Sequence, residues 1–214
     1  LHLNNNNIKR MDPGIFEGLS NLHCLYLQNN EIAFVPRGLF SDLLSVRYLT
    51  LQKNRLGVLG SGTFLGMMSL QTLNLANNRI SRISDLAFHH LENLAYLLSL
   101  SRNPIGSIHP FAFKGLTKLR YLSLKHMNLK CIALNGFFGL NNLRQLILSY
   151  NDLEIINSSI FTVLNNLVYL QLDRNKITKL QPEVFKPLVS LTHLQVNYNP
   201  WNCSCKMLRL LNWL

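Results

Sequence analysis

The stretch LQLDRNKITKL, Leu170 to Leu180, sets a polar Asn175 among apolar residues spaced as on the buried side of a strand. The same phrase returns as LYLQNNEIAFV from Leu25, LTLQKNRLGVL from Leu49 and LNLANNRISRI from Leu73. Aligned on LxxLxLxxNxL, the chain places asparagine at Asn6, Asn30, Asn54, Asn78, Asn103, Asn151, Asn175 and Asn199, with Met127 in the remaining slot. The step is 24 residues except for 25 between Asn78 and Asn103. Ten residues after each of the first eight slots stands a phenylalanine: Phe16, Phe40, Phe64, Phe88, Phe113, Phe137, Phe161 and Phe185. Self-similarity at a fixed period is the mark of stacked repeats, each unit touching only its neighbours.

In the quoted stretch Leu170 and Leu172 alternate with Gln171 and Asp173. Period two puts the leucines inward and the polar pair outward on a short strand. Successive strands then pair in parallel about 4.8 Å apart. The bulkier return, irregular or a short helix, bends the stack with its strands on the inner side. These residues resemble the signature of the extracellular leucine-rich repeat family. The resemblance implies an α/β repeat solenoid, a horseshoe with a parallel concave sheet, of about nine repeats.

An inward asparagine carries one acceptor and two donors, so it can bond backbone groups of its own and the adjacent repeat. Leaving such groups unpaired costs roughly 1–3 kcal/mol each. The asparagine row therefore reads as structural. Met127 is expected to weaken it locally. In HLENLAYLLSLSRNPI either Leu97 or Leu98 fits the strand leucine, so a bulge or register shift is expected at the uneven step.

The chain ends NPWNCSCKMLRLLNWL. This resembles the start of the cysteine-rich C-terminal cap of extracellular leucine-rich repeat proteins, so residues 1–198 read as the array and 199–214 as a truncated cap. A zinc site is the rival reading of Cys203-x-Cys205, but no second Cys/His pair follows. In the family both cysteines pair with partners farther along, which implies disulfides beyond Leu214 and an oxidising compartment. Sequons at Asn157 and Asn202 agree with a glycoprotein. Leu1 begins in mid-pattern, with no N-terminal cap, so a fragment of a longer chain is expected.

At 214 residues and 48% hydrophobic, the chain can bury a substantial core. No apolar run approaches the roughly 18 residues that span a bilayer. There is no basic-then-apolar leader. Lys and Arg exceed Asp and Glu by 21 to 10, a net charge of +11, which favours acidic partners. No Lys/Arg block, aromatic RNA-binding signature or zinc spacing is present, so nucleic acid is not expected.

Outward strand positions line the inner face. The third slot of each repeat gives Cys24, Tyr48, Thr72, Leu97, Tyr121, Gln145, Tyr169 and His193. Nearer the asparagine stand Lys53, Arg55, Arg79, Arg102, Lys125, Tyr150, Arg174 and Lys176, opposed by Glu31, Asp152 and Asp173. Tyrosine and arginine dominate the energetic centres of protein interfaces. The candidate ligand-binding set is Tyr48, Lys53, Arg55, Arg79, Arg102, Tyr121, Lys125, Tyr150, Tyr169 and Arg174. The bland alternative is aromatics that shield the sheet among solvated charges.

Catalysis is not expected. His89-His90 lacks the HExxH arrangement, and Gly60-Ser61-Gly62 lacks the spacing of a nucleophile elbow. His2, His23, His109, His126 and His193 occupy unrelated slots, so no metal or other cofactor is expected. The resemblance implies a secreted or cell-surface parent, soluble or membrane-anchored, that binds a protein ligand or co-receptor. A matrix or adhesion protein binding anionic glycans or collagen is the alternative.

Overall fold

Each repeat after the first contributes three residues to one parallel sheet, and some contribute two more on the opposite side. In the computed structural model, which describes residues 1–202, the strands in chain order are β1 (Cys24–Tyr26), β2 (Tyr48–Thr50), β3 (Val58–Leu59), β4 (Thr72–Asn74), β5 (Arg82–Ile83), β6 (Leu97–Ser99), β7 (Ser107–Ile108), β8 (Tyr121–Ser123), β9 (Cys131–Ile132), β10 (Gln145–Ile147), β11 (Tyr169–Gln171) and β12 (His193–Gln195). The concave sheet runs β1-β2-β4-β6-β8-β10-β11-β12, and a bridge from His2 to Tyr26 extends it. On the convex side β3 pairs β5 and β7 pairs β9. The rest of the return is turns and one 3-10 helix at Pro182–Val184, so the irregular form of return prevails among the described residues. Cys203 and Cys205 lie outside the described residues.

The inward leucines have no exposure: Leu25 and Leu27, Leu49 and Leu51, Leu170 and Leu172 are all sealed. Burying a leucine fully is worth roughly 1.5–3 kcal/mol, and only the stack provides that burial. All eight phenylalanines are buried. Phe88, Phe113, Phe137 and Phe161 stack in succession with ring centroids 6.2, 6.4 and 6.2 Å apart, one internal column beneath the returns.

The asparagines tie one repeat to the next. Asn54 donates from Nδ2 to the carbonyls of Leu27 (2.9 Å) and Leu51 (3.0 Å), and its Oδ1 accepts from the Ile32 N–H (3.0 Å). Asn30, Asn78, Asn103, Asn151, Asn175 and Asn199 repeat both halves of this pattern. Asn6 departs from it: it is exposed and, among the described residues, reaches only the Leu3 and Asn4 carbonyls.

Met127 supplies no such bonds, yet it is fully buried. Asn151 Oδ1 accepts from Met127 N–H (2.9 Å) as well as Leu129 N–H (3.1 Å). Ile105 N–H, deprived of an amide oxygen, closes instead on the Asn103 carbonyl at 2.9 Å. The gap is bridged by rerouting, without a frayed strand.

The uneven step is absorbed just before β6. Leu98 stands in register with Leu73 and Leu122, so Leu98 is the inward strand leucine and Leu97 faces out. The extra residue falls at Ala95–Tyr96, where Tyr96 N–H bonds the Gln71 carbonyl and Arg120 N–H the Ala95 carbonyl, each at 2.9 Å. Tyr96 is pushed into solvent. Asp173 corrects the simple alternation. It is buried, accepting a hydrogen bond from Ser149 Oγ, so it does not offer its charge to solvent.

Removing one buried amide strands carbonyls in two repeats. Asn54→Ala is expected to lower stability by roughly 1–3 kcal/mol, whereas the exposed Asn6→Ala stays within about 0.5 kcal/mol. Denaturant melts of the two variants measure this, and equal costs would refute a ladder that works by burial.

Candidate ligand-binding face

Strand pairing aligns the third-slot side chains in one column. Cys24, Tyr48, Thr72 and Leu97 are cross-strand partners in turn, as are Tyr121, Gln145, Tyr169 and His193. Tyr48, Tyr121 and Tyr169 are half-buried on the concave surface. Tyr48 lies 5.4 Å from the Tyr26 ring, and Tyr26 stacks on His2. Tyr169 packs 5.7 Å from His193, and its hydroxyl accepts from Gln171 Nε2 at 2.9 Å.

A second column stands one residue before the asparagine ladder. Asn5, Asn29, Lys53, Asn77, Arg102, His126, Tyr150, Arg174 and Tyr198 all hold the left-handed backbone, with φ between 54° and 59°. For a residue with a Cβ that conformation costs roughly 1–2 kcal/mol. Here a hydrogen bond to the next repeat offsets it: Lys53 N–H to Ala76 (2.9 Å), Arg102 N–H to Lys125 (2.8 Å) and Arg174 N–H to Asn197 (3.0 Å). These bonds turn the chain out of the sheet, so most of the side chains stand exposed along the sheet's rim.

The rim gathers charge around one ring. Lys125 Nζ lies 4.6 Å from the Tyr150 ring centre and the Arg174 guanidinium 4.9 Å from it. Arg174 also covers Tyr198 at 4.1 Å, and His126 packs 4.3 Å from Tyr150. Cation–π contacts at exposed sites are worth about 0.5–1 kcal/mol each. Among the described residues Arg102, Lys125 and Arg174 make no ion pair. Burial lowers the His126 pKa, helped by the positive charges of Arg102 and Lys125.

The candidate residues therefore divide. Lys125, Tyr150 and Arg174 form one patch, with Arg102 acting on it through its charge. Arg55 is neutralised by Glu31 at 3.0 Å, while Lys53 and Arg79 are exposed. Lys176 is paired with Asp152 at 2.7 Å, which raises its pKa. His126 and Tyr198 belong to the patch although sequence reading left them out. Their signal was the spacing: both precede the ladder position, as Tyr150 and Arg174 do.

Among the described residues no three His, Cys, Asp or Glu side chains converge as a metal site. No described helix is long and apolar enough to cross a membrane. Cys24 and Cys131 are free thiols.

The family model for the leucine-rich repeat matches residues 1–56, 44–98, 96–153 and 151–200. The chain belongs to the leucine-rich repeat family. Its fold is shared by TLR13 in the TLR13–ssRNA13 complex, with a TM-score of 0.75 and 31% identity over 86% of this chain and 30% of that one. A second similar structure is the octameric complex of Latrophilin 3, Unc5D and FLRT2, in which FLRT2 is the leucine-rich repeat component. It gives a TM-score of 0.80 and 28% identity, covering 99% of this chain and 64% of that one. Human 5T4, a Wnt-activated inhibitory factor, gives 0.78 and 26%, covering 98% of this chain and 80% of that one. No curated protein sequence matches the chain. This leucine-rich repeat array thus spans about 30% of TLR13 and 64% of FLRT2.

The His126 shift fixes a pH dependence. A histidine whose folded pKa is lowered binds fewer protons folded than unfolded, so its stability contribution is lost as pH falls below 6.5 toward the folded value. His126→Gln should flatten the acid limb of the stability–pH profile. An NMR titration of His126 with a midpoint above 6.5 would contradict the arrangement.

Proposed function

We propose that this array is a non-catalytic protein-recognition ectodomain of a secreted or cell-surface protein, holding a protein ligand or co-receptor on its concave face. The observation that carries the reading is the Tyr150 patch: Lys125 and Arg174 both sit on one exposed ring, and among the described residues neither cation has a carboxylate partner. Like charges gathered around one ring repel unless an acidic group joins them, and tyrosine with arginine is the pairing that concentrates binding energy. Tyr121 and Tyr169 supply contact area beside it, while Tyr48, Lys53, Arg55, Arg79 and Arg102 widen the footprint. FLRT2, held in a complex with Latrophilin 3 and Unc5D, supports a protein partner, whereas TLR13, held with ssRNA13, supports ligand binding by this fold and not the choice of ligand.

The runs VLGSGTF, HLENLAYL, HPFAFKGL and NPWNCSCK resemble synleurin, a single-pass membrane protein. That resemblance supports a membrane-anchored parent that modulates responses to secreted signals such as cytokines. Cys203 and Cys205 would then open a disulfide-bonded cap at 199–214, and the exposed Asn157 and Asn202 would carry glycans. The uncompensated charge also favours a second reading, a matrix or adhesion protein that binds anionic glycans.

Screening the chain against arrayed ectodomains and sulfated glycans separates the two. For a protein partner, Tyr150→Ala and Arg174→Ala should each weaken binding about tenfold or more, roughly 1.4 kcal/mol. Lys118→Ala, whose ammonium bonds Asn93 away from the patch, should change nothing. Glycan binding would fall steeply with salt, and a protein interface would fall less. If Tyr150→Ala binds every partner as well as wild type, the concave reading fails.

A further inference from the structure

A slot on the convex side also demands a left-handed backbone. Eight residues after the ladder position φ is positive at Gly14 (91°), Gly38 (76°), Gly62 (81°), Leu86 (61°), Phe111 (59°) and Asn135 (62°). Glycine takes that conformation freely, and asparagine tolerates it, whereas leucine and phenylalanine are strained there. Leu86 and Phe111 do not recover the cost by filling the core, because they are 49% and 47% exposed. Of the two, only Phe111 has an N–H bond to the next repeat among the described residues, to the Asn135 carbonyl at 3.1 Å. They line one cleft of about 610 Å³ with Ile83 and Pro110. Phe138, itself exposed, meets the Phe111 ring edge-on at 5.2 Å and continues the apolar floor.

The cleft opens where the convex ladder is broken. Ser84 N–H bonds the Leu59 carbonyl and Ala133 N–H the Ile108 carbonyl, both at 2.9 Å. Among the described residues no such bond joins His109 N–H to the Ile83 carbonyl, and β5 and β7 belong to separate sheets. Arg82, Lys114 and His109 flank the opening against a single carboxylate, Asp85, and none of the four is ion-paired among the described residues.

We propose that this convex cleft is a second binding site that takes an extended segment of a partner protein in which an apolar side chain is flanked by carboxylates. The apolar side chain lies against Leu86, Pro110 and Phe111, and the carboxylates meet Arg82 and Lys114. The segment lies across the break between β5 and β7, where the Ile83 carbonyl and His109 N–H are not bonded to each other. A second copy of this chain, at +11, is repelled by the same cations.

The test pans the whole chain against a random dodecapeptide display library and follows the selected peptides by fluorescence polarisation. Apolar–acidic sequences should be enriched. They should lose at least tenfold in affinity on Leu86→Gly/Phe111→Gly and on Arg82→Glu/Lys114→Glu, and none on Tyr150→Ala. Because glycine fits both slots, the double-glycine variant should melt at or above the wild-type temperature. The proposal is overturned if no apolar–acidic peptide is enriched, if the selected peptides bind both cleft variants as well as wild type, or if the glycine variant melts lower. The last result would make the two side chains structural.

Discussion

The stack depends on one bond pattern, the inward amide that joins three backbone groups of two repeats. Leucine burial alone would hold the repeats together without fixing how far one turns on the next. The amide fixes that, because its donors reach Leu27 and Leu51 while its oxygen reaches Ile32. An apolar side chain in the slot keeps the packing and forfeits the alignment. At Met127 the alignment survives because Asn151 Oδ1 accepts two N–H groups. The ladder therefore carries spare acceptor capacity, and one vacancy does not interrupt it.

The two faces answer irregularity differently. The extra residue at Ala95–Tyr96 is expelled before β6, and the concave register continues through Leu73, Leu98 and Leu122. Between β5 and β7 the convex pairing stops, and strained Leu86 and Phe111 border the opening. Strands buried on one side have little freedom to slip, since a one-residue shift would send every leucine to water. The returns have no such constraint, so discontinuity collects there.

Much of this was legible in the sequence. Period-two leucines gave the strands, the spaced asparagines gave the ladder, and the phenylalanines ten residues on gave the internal column. The bulge was expected where Leu97 and Leu98 compete, and it lies one to two residues before that pair, at Ala95–Tyr96. Three features were hidden. Asp173 follows the outward alternation, but Ser149 draws its carboxylate into a buried hydrogen bond, an event set by a neighbour 24 residues away. Arg55 reads as a free cation until the fold places Glu31 beside it. His126 reads as one of several scattered histidines and Tyr198 as part of the chain's end, although both share the slot of Tyr150.

That shared slot has a consequence for how such a molecule can change. Nine residues of five kinds adopt one backbone geometry there, and eight of them, from Asn5 to Arg174, donate the same interrepeat bond whatever the side chain. Valine, isoleucine and threonine, whose branched Cβ suits that geometry worst, are absent from all nine positions. Among the five kinds found there, exchanging one letter for another leaves the scaffold untouched, so new specificities can be written along this margin without rebuilding the text beneath.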